Sequence, residues 1–83
     1  MKCYCCSTKR KFFESFAEVD TEYGKIFLCP YCNDLLYKIR DSFNANNKKQ
    51  NKRYYNELQK RKKNSQEAYS IWEEKFIKNN LIQ

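Results

Sequence analysis

Two closely spaced pairs of cysteines constrain this chain more than any other feature of its sequence. Cys3 and Cys6 form the first pair, Cys29 and Cys32 form the second, and 22 residues separate the two pairs. Two residues between thiolates let one tight turn direct both sulfurs to a single ion, and two such turns complete the tetrahedral coordination that zinc prefers. The sequence therefore predicts that these four cysteines hold one structural Zn²⁺ ion.

Disulfides and free core thiols are the alternatives to zinc. The cysteine count of five is odd, no apolar signal segment follows Met1, and the lysine-rich composition is typical of cytoplasmic proteins, all of which disfavour disulfides. Cys5 is left over, because a neighbour of Cys6 can hardly join the same tetrahedron. We expect Cys5 to be a spare thiol, with redox sensing or ligand exchange as the functional alternative.

The residues that follow each cysteine pair predict different secondary structure. Aromatic and β-branched residues at 12–19 and 23–28 flank a polar turn, which is typical of a β-hairpin. Behind the second pair, apolar residues recur at helical spacing over 35–43, and Pro30 suits the first turn of such a helix. A knuckle, a hairpin and a helix carrying the second pair make up the treble-clef arrangement. The predicted fold class is therefore a small α+β zinc-bound domain.

The N-terminal half resembles known zinc-binding families. Residues 3–43 resemble treble-clef zinc fingers in general, through the two cysteine pairs, the segment Tyr23-Gly24-Lys25-Ile26-Phe27-Leu28 before Cys29, and the short helix after Cys32. More loosely, they resemble the small Gin-type anti-sigma factors of spore-forming bacteria. That resemblance implies a zinc-stabilised inhibitor that binds a transcription factor through protein contacts. The chain differs from the pattern in its longer hairpin insert and its basic C-terminal region.

Positive charge is concentrated in the middle of the chain. Residues 33–64 carry ten cations and three anions, whereas the charges of the remaining residues cancel. Three asparagines near residue 46 predict a turn, after which apolar and cationic residues fall on separate arcs of one helix over 48–79. The cationic residues predicted to bind nucleic acid or a protein partner are Lys48, Lys49, Lys52, Arg53, Lys60, Arg61, Lys62 and Lys63.

The four adjacent cations at 60–63 point in nearly every direction around this predicted helix. Because like charges repel unless solvent or an acidic partner surrounds them, we expect this turn to project beyond the folded body. A solvated surface that merely aids solubility is the alternative. The predicted organisation is a treble-clef zinc-binding module at 1–46 and a long basic amphipathic helix at 47–83, which packs back on the module as one compact domain.

Missing residue types exclude most catalytic machinery. With no histidine and a single glycine, the chain lacks a Ser-His-Asp or Cys-His centre and both glycine-rich phosphate-binding loops. A metal-dependent nuclease is the remaining enzymatic alternative, although its candidate acids are more simply explained as solvating the hairpin. Those acids are Glu14, Glu18, Asp20 and Glu22. We therefore predict no catalytic residues.

The predicted function is that of a non-catalytic, cytoplasmic, zinc-binding regulatory protein whose lysine-rich helix binds DNA or RNA. The alternative is an anti-sigma-like inhibitor or adaptor that binds an acidic protein of the transcription or nucleic-acid-processing machinery. No membrane partner is expected, and the aromatic stripe of the long helix could also join two copies in a homodimer. Replacing Cys29 or Cys32 by Ser is expected to melt the N-terminal half and to leave much of the second helix.

Overall fold

A two-stranded hairpin followed by helices makes up the part of the chain that the computed structural model describes, which is residues 1–12, 14–21 and 24–82. Four residues lie outside this described part: Phe13, Glu22, Tyr23 and Gln83. The first three belong to the predicted hairpin. Among the described residues, no helix combines the length and the apolar character needed to cross a membrane.

The hairpin contributes Ile26 and Leu28 to the buried cluster that contains the cysteines. β1 spans Ala17–Thr21 and β2 spans Gly24–Leu28, and they pair in antiparallel fashion with Ala17 opposite Leu28. The first strand therefore begins five residues later than the predicted strand at 12–19. Gly24 has a φ of +117°, a left-handed conformation that glycine adopts at little cost where β2 begins. Leu28 is buried, and it ends the strand directly before Cys29.

The first helix confirms the predicted helical spacing. α1 spans Pro30–Asn44 and buries the apolar face that includes Leu35, Leu36 and Ile39. Cys29 caps its N-terminus in an extended conformation, and proline occupies the first helical position as predicted. The asparagine-rich turn also forms after the helix, where Asn46 has a φ of +55°.

The second helix returns along the first. α2 spans Lys48–Arg61, and the Asn47 side chain caps it by accepting a hydrogen bond from the Gln50 backbone nitrogen at 3.1 Å. Asn51 is buried on the inner face of α2, where its Nδ2 donates to the carbonyl oxygens of Ile39 at 3.0 Å and of Leu81 at 2.7 Å. One side chain thus connects three helical segments.

The predicted single helix over 48–79 is instead two helical segments that run in opposite directions. After α2, residues 62–66 are not helical, and the chain continues as α3 (Glu67–Trp72), a π-helical stretch (Glu73–Lys78) and α4 (Asn79–Leu81). We refer to residues 67–81 as the C-terminal helical segment. It lies antiparallel to α2, since Glu73 contacts Gln59 near one end of α2 and Leu81 contacts Asn51 near the other.

The break between the two segments has a long-range cause. The backbone nitrogens of Lys63 and Asn64 both donate to the Cys5 carbonyl oxygen, at 2.9 and 3.2 Å, and Asn64 Nδ2 donates to the Tyr4 carbonyl oxygen at 2.7 Å. These donors belong to residues that a continuous helix would have paired internally. The turn at 60–63 therefore docks on the first cysteine loop, and the prediction that it projects beyond the folded body is wrong.

All five cysteines belong to a single buried cluster. The same cluster contains Leu28 and Ile39 from the N-terminal half, and Leu58, Tyr69 and Ile77 from the C-terminal half. Tyr4, Tyr69 and Trp72 form an aromatic group with ring centroids 5.3 to 5.6 Å apart. Tyr69 and Trp72 of the aromatic stripe predicted for the long helix are thus buried against the chain's own cysteine loop, whereas Phe76 is exposed.

Candidate metal centre

Four sulfur atoms converge in the structure, and they belong to the four predicted ligands. The Sγ atoms of Cys3, Cys6, Cys29 and Cys32 all lie within 4.8 Å of one another, and all four residues are buried. Zinc–sulfur bonds of about 2.3 Å in a tetrahedron place the sulfurs about 3.8 Å apart. The Cys6 and Cys29 sulfurs are already 3.6 Å apart. The donor set and its spacing therefore fit a single structural zinc ion, and all five cysteines are free of disulfides.

A short loop positions the first pair of sulfurs. Its ends are joined by a backbone bridge between Lys2 and Lys9, and Cys3 N donates to the Thr8 carbonyl oxygen at 2.9 Å. Ser7 has a φ of +64°, which turns the chain tightly enough for its nitrogen to donate to the Cys3 carbonyl oxygen at 3.0 Å. Tyr4 N donates to the Phe27 carbonyl oxygen at 2.7 Å, which fastens this loop to β2.

The end of β2 and the first turn of α1 position the second pair. Cys29 lies between the two elements, and Cys32 lies within the first helical turn. The backbone nitrogen of Cys32 donates to the Cys29 sulfur at 3.5 Å. Amide dipoles at a helix N-terminus favour negative charge, so this end of α1 stabilises thiolate ligands.

Protons compete with the metal for these sulfurs. A hydrogen bond with Cys32, together with burial, raises the pKa of the Cys3 thiol to about 12. Zinc binds the deprotonated thiolate and must displace this proton, so its affinity falls as the pH falls. The four thiolates fill all positions of a tetrahedral ion, which makes the site structural in type rather than an open site for a substrate.

Arg61 brings a positive charge to the sulfurs. Its Nη2 atom lies 3.9 Å from the Cys6 sulfur and 4.0 Å from the Cys29 sulfur. Hydrogen bonding to Cys32 is the largest of the interactions that raise the pKa of Arg61, so the guanidinium stays charged. The same group lies over the Tyr31 ring, with its Cζ atom 5.0 Å from the ring centroid. A four-thiolate zinc centre carries a net charge of about −2, which this cation partly offsets.

Cys5 has a structural place outside the four-sulfur cluster. It is 1% exposed, and its sulfur accepts a hydrogen bond from the Tyr69 hydroxyl at 3.3 Å. Its carbonyl oxygen receives the two backbone donors of residues 63 and 64 described above. The leftover cysteine of the sequence therefore joins the first loop to the C-terminal helical segment.

The predicted cationic residues fall into two groups. Lys62 is half-buried and its Nζ lies 3.5 Å from Oε2 of Glu73, a buried carboxylate that also accepts from Tyr55 and Gln59. Arg61 faces the sulfurs, and Lys63 is exposed beside the first loop. The remaining five cations are exposed along α2, and they are Lys48, Lys49, Lys52, Arg53 and Lys60.

Two residues at this centre, Arg61 and Tyr31, are not predicted to lie there by the sequence patterns. In the sequence, Arg61 belongs to a run of four cations, and Tyr31 is one of the two residues between Cys29 and Cys32. An aromatic residue held between two metal ligands has little freedom to turn into a core, and this was the available signal for Tyr31. No comparable signal existed for Arg61, because its contact with Cys6 spans 55 residues.

No family model, no curated protein and no solved structure matches the chain. The function of the chain is therefore inferred from its zinc centre and from the surfaces that the centre supports.

Proposed function

We propose that this chain is a non-catalytic, zinc-stabilised regulatory module that binds nucleic acid through the exposed cationic face of α2. The observation that carries the proposal is a row of cations on one solvent-facing side of that helix. Lys49, Lys52, Arg53 and Lys60 line a shallow groove together with Asn56. The opposite side of α2 buries Leu58 and Asn51, so the helix cannot rotate this row away from solvent.

The lysines of this row are available to bind a partner. Within the described part of the chain, Lys49, Lys52 and Lys60 form no ion pair with a carboxylate, whereas Arg53 lies 3.8 Å from Glu57. α2 carries six cations and one anion over about 21 Å. A helix face with this charge density attracts phosphates and releases their counterions on binding.

We also propose the treble-clef arrangement for the zinc-binding half. The order of its elements supports this assignment: the first cysteine pair lies in a loop, a hairpin follows, and the second pair stands at the start of a helix. The closed set of four thiolates supports a non-catalytic role, because it leaves the metal no coordination position for a substrate.

The proposal is tested by the salt dependence of binding to labelled DNA and RNA. Replacing Lys49, Lys52 and Lys60 by Gln should weaken binding and reduce the slope of log K against log salt by about 2 on single strands and about 3 on duplex. A matched control replaces Lys2, Lys9 and Lys11 by Gln, which removes the same charge from the first loop. If both triple variants weaken binding equally, net charge alone is responsible. The proposed surface is then wrong.

An inhibitor or adaptor that binds an acidic protein is the second candidate. The exposed tyrosines Tyr31 and Tyr37 favour it, because each has an arginine over its ring, and Tyr and Arg are enriched in protein interfaces. A pull-down from a bacterial lysate, divided into nuclease-treated and untreated halves, distinguishes the candidates. A stoichiometric protein that persists after nuclease treatment, and whose capture requires α2 lysines, would favour the adaptor.

A further inference from the structure

The cationic groove on α2 continues into a second groove that ends beside the metal centre, at Tyr31 and Arg61. The first groove runs from Lys49 to Lys60 along α2. The second lies between α1 and α2 and is lined by Tyr31, Leu35 and Lys38 on one side and by Lys60 and Arg61 on the other. Lys60 and Glu57 line both grooves. They therefore form one continuous surface, which we call the Lys49–Tyr31 track.

Tyr31 stands at the zinc end of this track as an exposed and fixed aromatic ring. It is 73% exposed although it lies between the ligands Cys29 and Cys32, which restrict its backbone. The Arg61 guanidinium lies over the ring, and that guanidinium is itself held by the sulfurs of Cys6 and Cys29. A single cation covers one face of a ring. The high exposure of Tyr31 means that the rest of the ring is open to solvent.

The spacing of charges along the track suits a nucleic-acid backbone. The helix rise places Lys49 and Lys60 about 17 Å apart along α2, which is enough for a few successive phosphates. Two carboxylates also lie on the track, but each has a cation of its own helix beside it. Asp34 is 3.1 Å from Lys38, and Glu57 is 3.8 Å from Arg53.

We infer that the chain binds single-stranded nucleic acid in preference to duplex, with phosphates along α2 and one base stacked on the open face of Tyr31. The inference rests on the function proposed above and specifies its ligand. Base faces are free to stack on a protein ring in a single strand, whereas in a duplex they are occupied by neighbouring bases. Arg61 contributes to this arrangement, because its guanidinium forms a cation–π interaction with the face of the Tyr31 ring opposite the stacked base.

The test measures the affinity of the zinc-loaded protein for labelled strands of about ten nucleotides. The same sequence is used as single-stranded RNA, as single-stranded DNA and as a DNA duplex. Tyr31→Leu keeps the apolar bulk but removes the stacking ring, and we expect it to weaken single-strand binding between about fivefold and a hundredfold. Tyr31→Phe should bind as the native chain does, and duplex binding should change less than twofold in either variant.

Two controls isolate the stacked base. Tyr37→Leu removes another exposed tyrosine of α1 that does not line the track, and it should leave affinity unchanged. A strand with abasic sites keeps every phosphate but has no base to stack. The native chain should bind this abasic strand more weakly than the intact strand. Tyr31→Leu should bind both strands equally, as expected if Tyr31 stacks directly on the missing base. Tighter binding of RNA or of DNA identifies the strand that the track prefers.

The outcomes separate this inference from the proposed function. If the native chain binds duplex as tightly as single strands, and Tyr31→Leu affects neither, the stacking inference is wrong while the cationic surface stands. If the native chain binds no nucleic acid at low salt, the proposed function and the inference both fail. Zinc content measured for each variant confirms that the centre is intact in every comparison.

Discussion

Arg61 connects the C-terminal end of α2 to the zinc centre. In the sequence it is one of four adjacent cations, and charge repulsion suggests that all four seek solvent. In the structure it ends α2 and faces two zinc-ligand sulfurs, while its neighbour Lys62 pairs with the buried Glu73. Two of the four cations are thus stabilised by negative charges that lie between 11 and 55 residues away in the chain.

Replacing Arg61 by Gln should loosen the zinc centre without removing a ligand. Loss of the cation leaves the charge of the thiolate centre less compensated, and outer-sphere partners of this kind change metal affinity by roughly tenfold or more. We expect a faster transfer of zinc to a chromophoric chelator. Lys60→Gln is the matched control, since it removes an adjacent charge that faces solvent. Equal transfer rates for the two variants would contradict this role for Arg61.

At the scale of elements, the local patterns predicted α1 and the asparagine turn, but not the end of α2. The helical spacing, the proline at the first position and the asparagines all act on neighbouring residues, so they could be recognised in the sequence. Residues 62–66 contain no glycine or proline, and the apolar arc resumes at Tyr69, beyond the four cations at 60–63 that point in nearly every direction. The helix ends there because Lys63 and Asn64 donate to Cys5, nearly sixty residues away. No pattern among neighbouring residues in the sequence predicts that contact.

Asn51 provides a test of how the helical elements are held together. Its amide nitrogen donates to α1 and to the end of α4, and the residue is 1% exposed. Asn51→Ala leaves two carbonyl oxygens without this donor and opens a small cavity, so we expect a loss of about 2–4 kcal/mol in unfolding free energy. Asn56→Ala, on the exposed side of α2, should cost less than about 0.5 kcal/mol.

Urea unfolding followed by circular dichroism measures both variants. The slope of free energy against urea should stay unchanged, because the elements themselves persist in the folded state. Similar midpoints for Asn51→Ala and Asn56→Ala would show that the helices are held together by apolar packing alone.

At the scale of the whole molecule, the metal centre and the helices share one core. The buried cluster contains five cysteines together with Leu58, Tyr69 and Ile77, which lie after the predicted boundary at residue 46. The four ligands were recognisable from the sequence because their spacing is dictated by coordination geometry. The sequence also predicts that the C-terminal region packs back on the zinc module, but not which residues meet there, since that depends on how the C-terminal helical segment turns back on the first loop.

Removal of zinc should therefore unfold both halves together. The sequence alone suggests that the C-terminal helix survives loss of the metal, but its buried residues belong to the same cluster as the cysteines, and Tyr69 donates to the Cys5 sulfur. We expect Cys32→Ser, or thorough chelation of the native chain, to abolish most of the helical circular-dichroism signal in one transition. Near-native thermal stability after chelation would contradict a structural role for the metal. A helical signal that persists after the N-terminal half melts would contradict the shared core.

The order of these elements along the chain has a consequence for how the protein is made. A ribosome exposes the N-terminal residues first, so all four ligands emerge before α2 and the C-terminal helical segment that cover them. About 45 residues separate Cys32 from Ile77, which corresponds to roughly two to nine seconds of translation. During this interval the nascent chain can capture its ion, while the surfaces of Cys5 and Tyr4 are still uncovered. The rate of elongation relative to the zinc supply then determines the state of the four cysteines when the last helices emerge. Either the zinc ion is already bound, or the thiols are still free and can be oxidised.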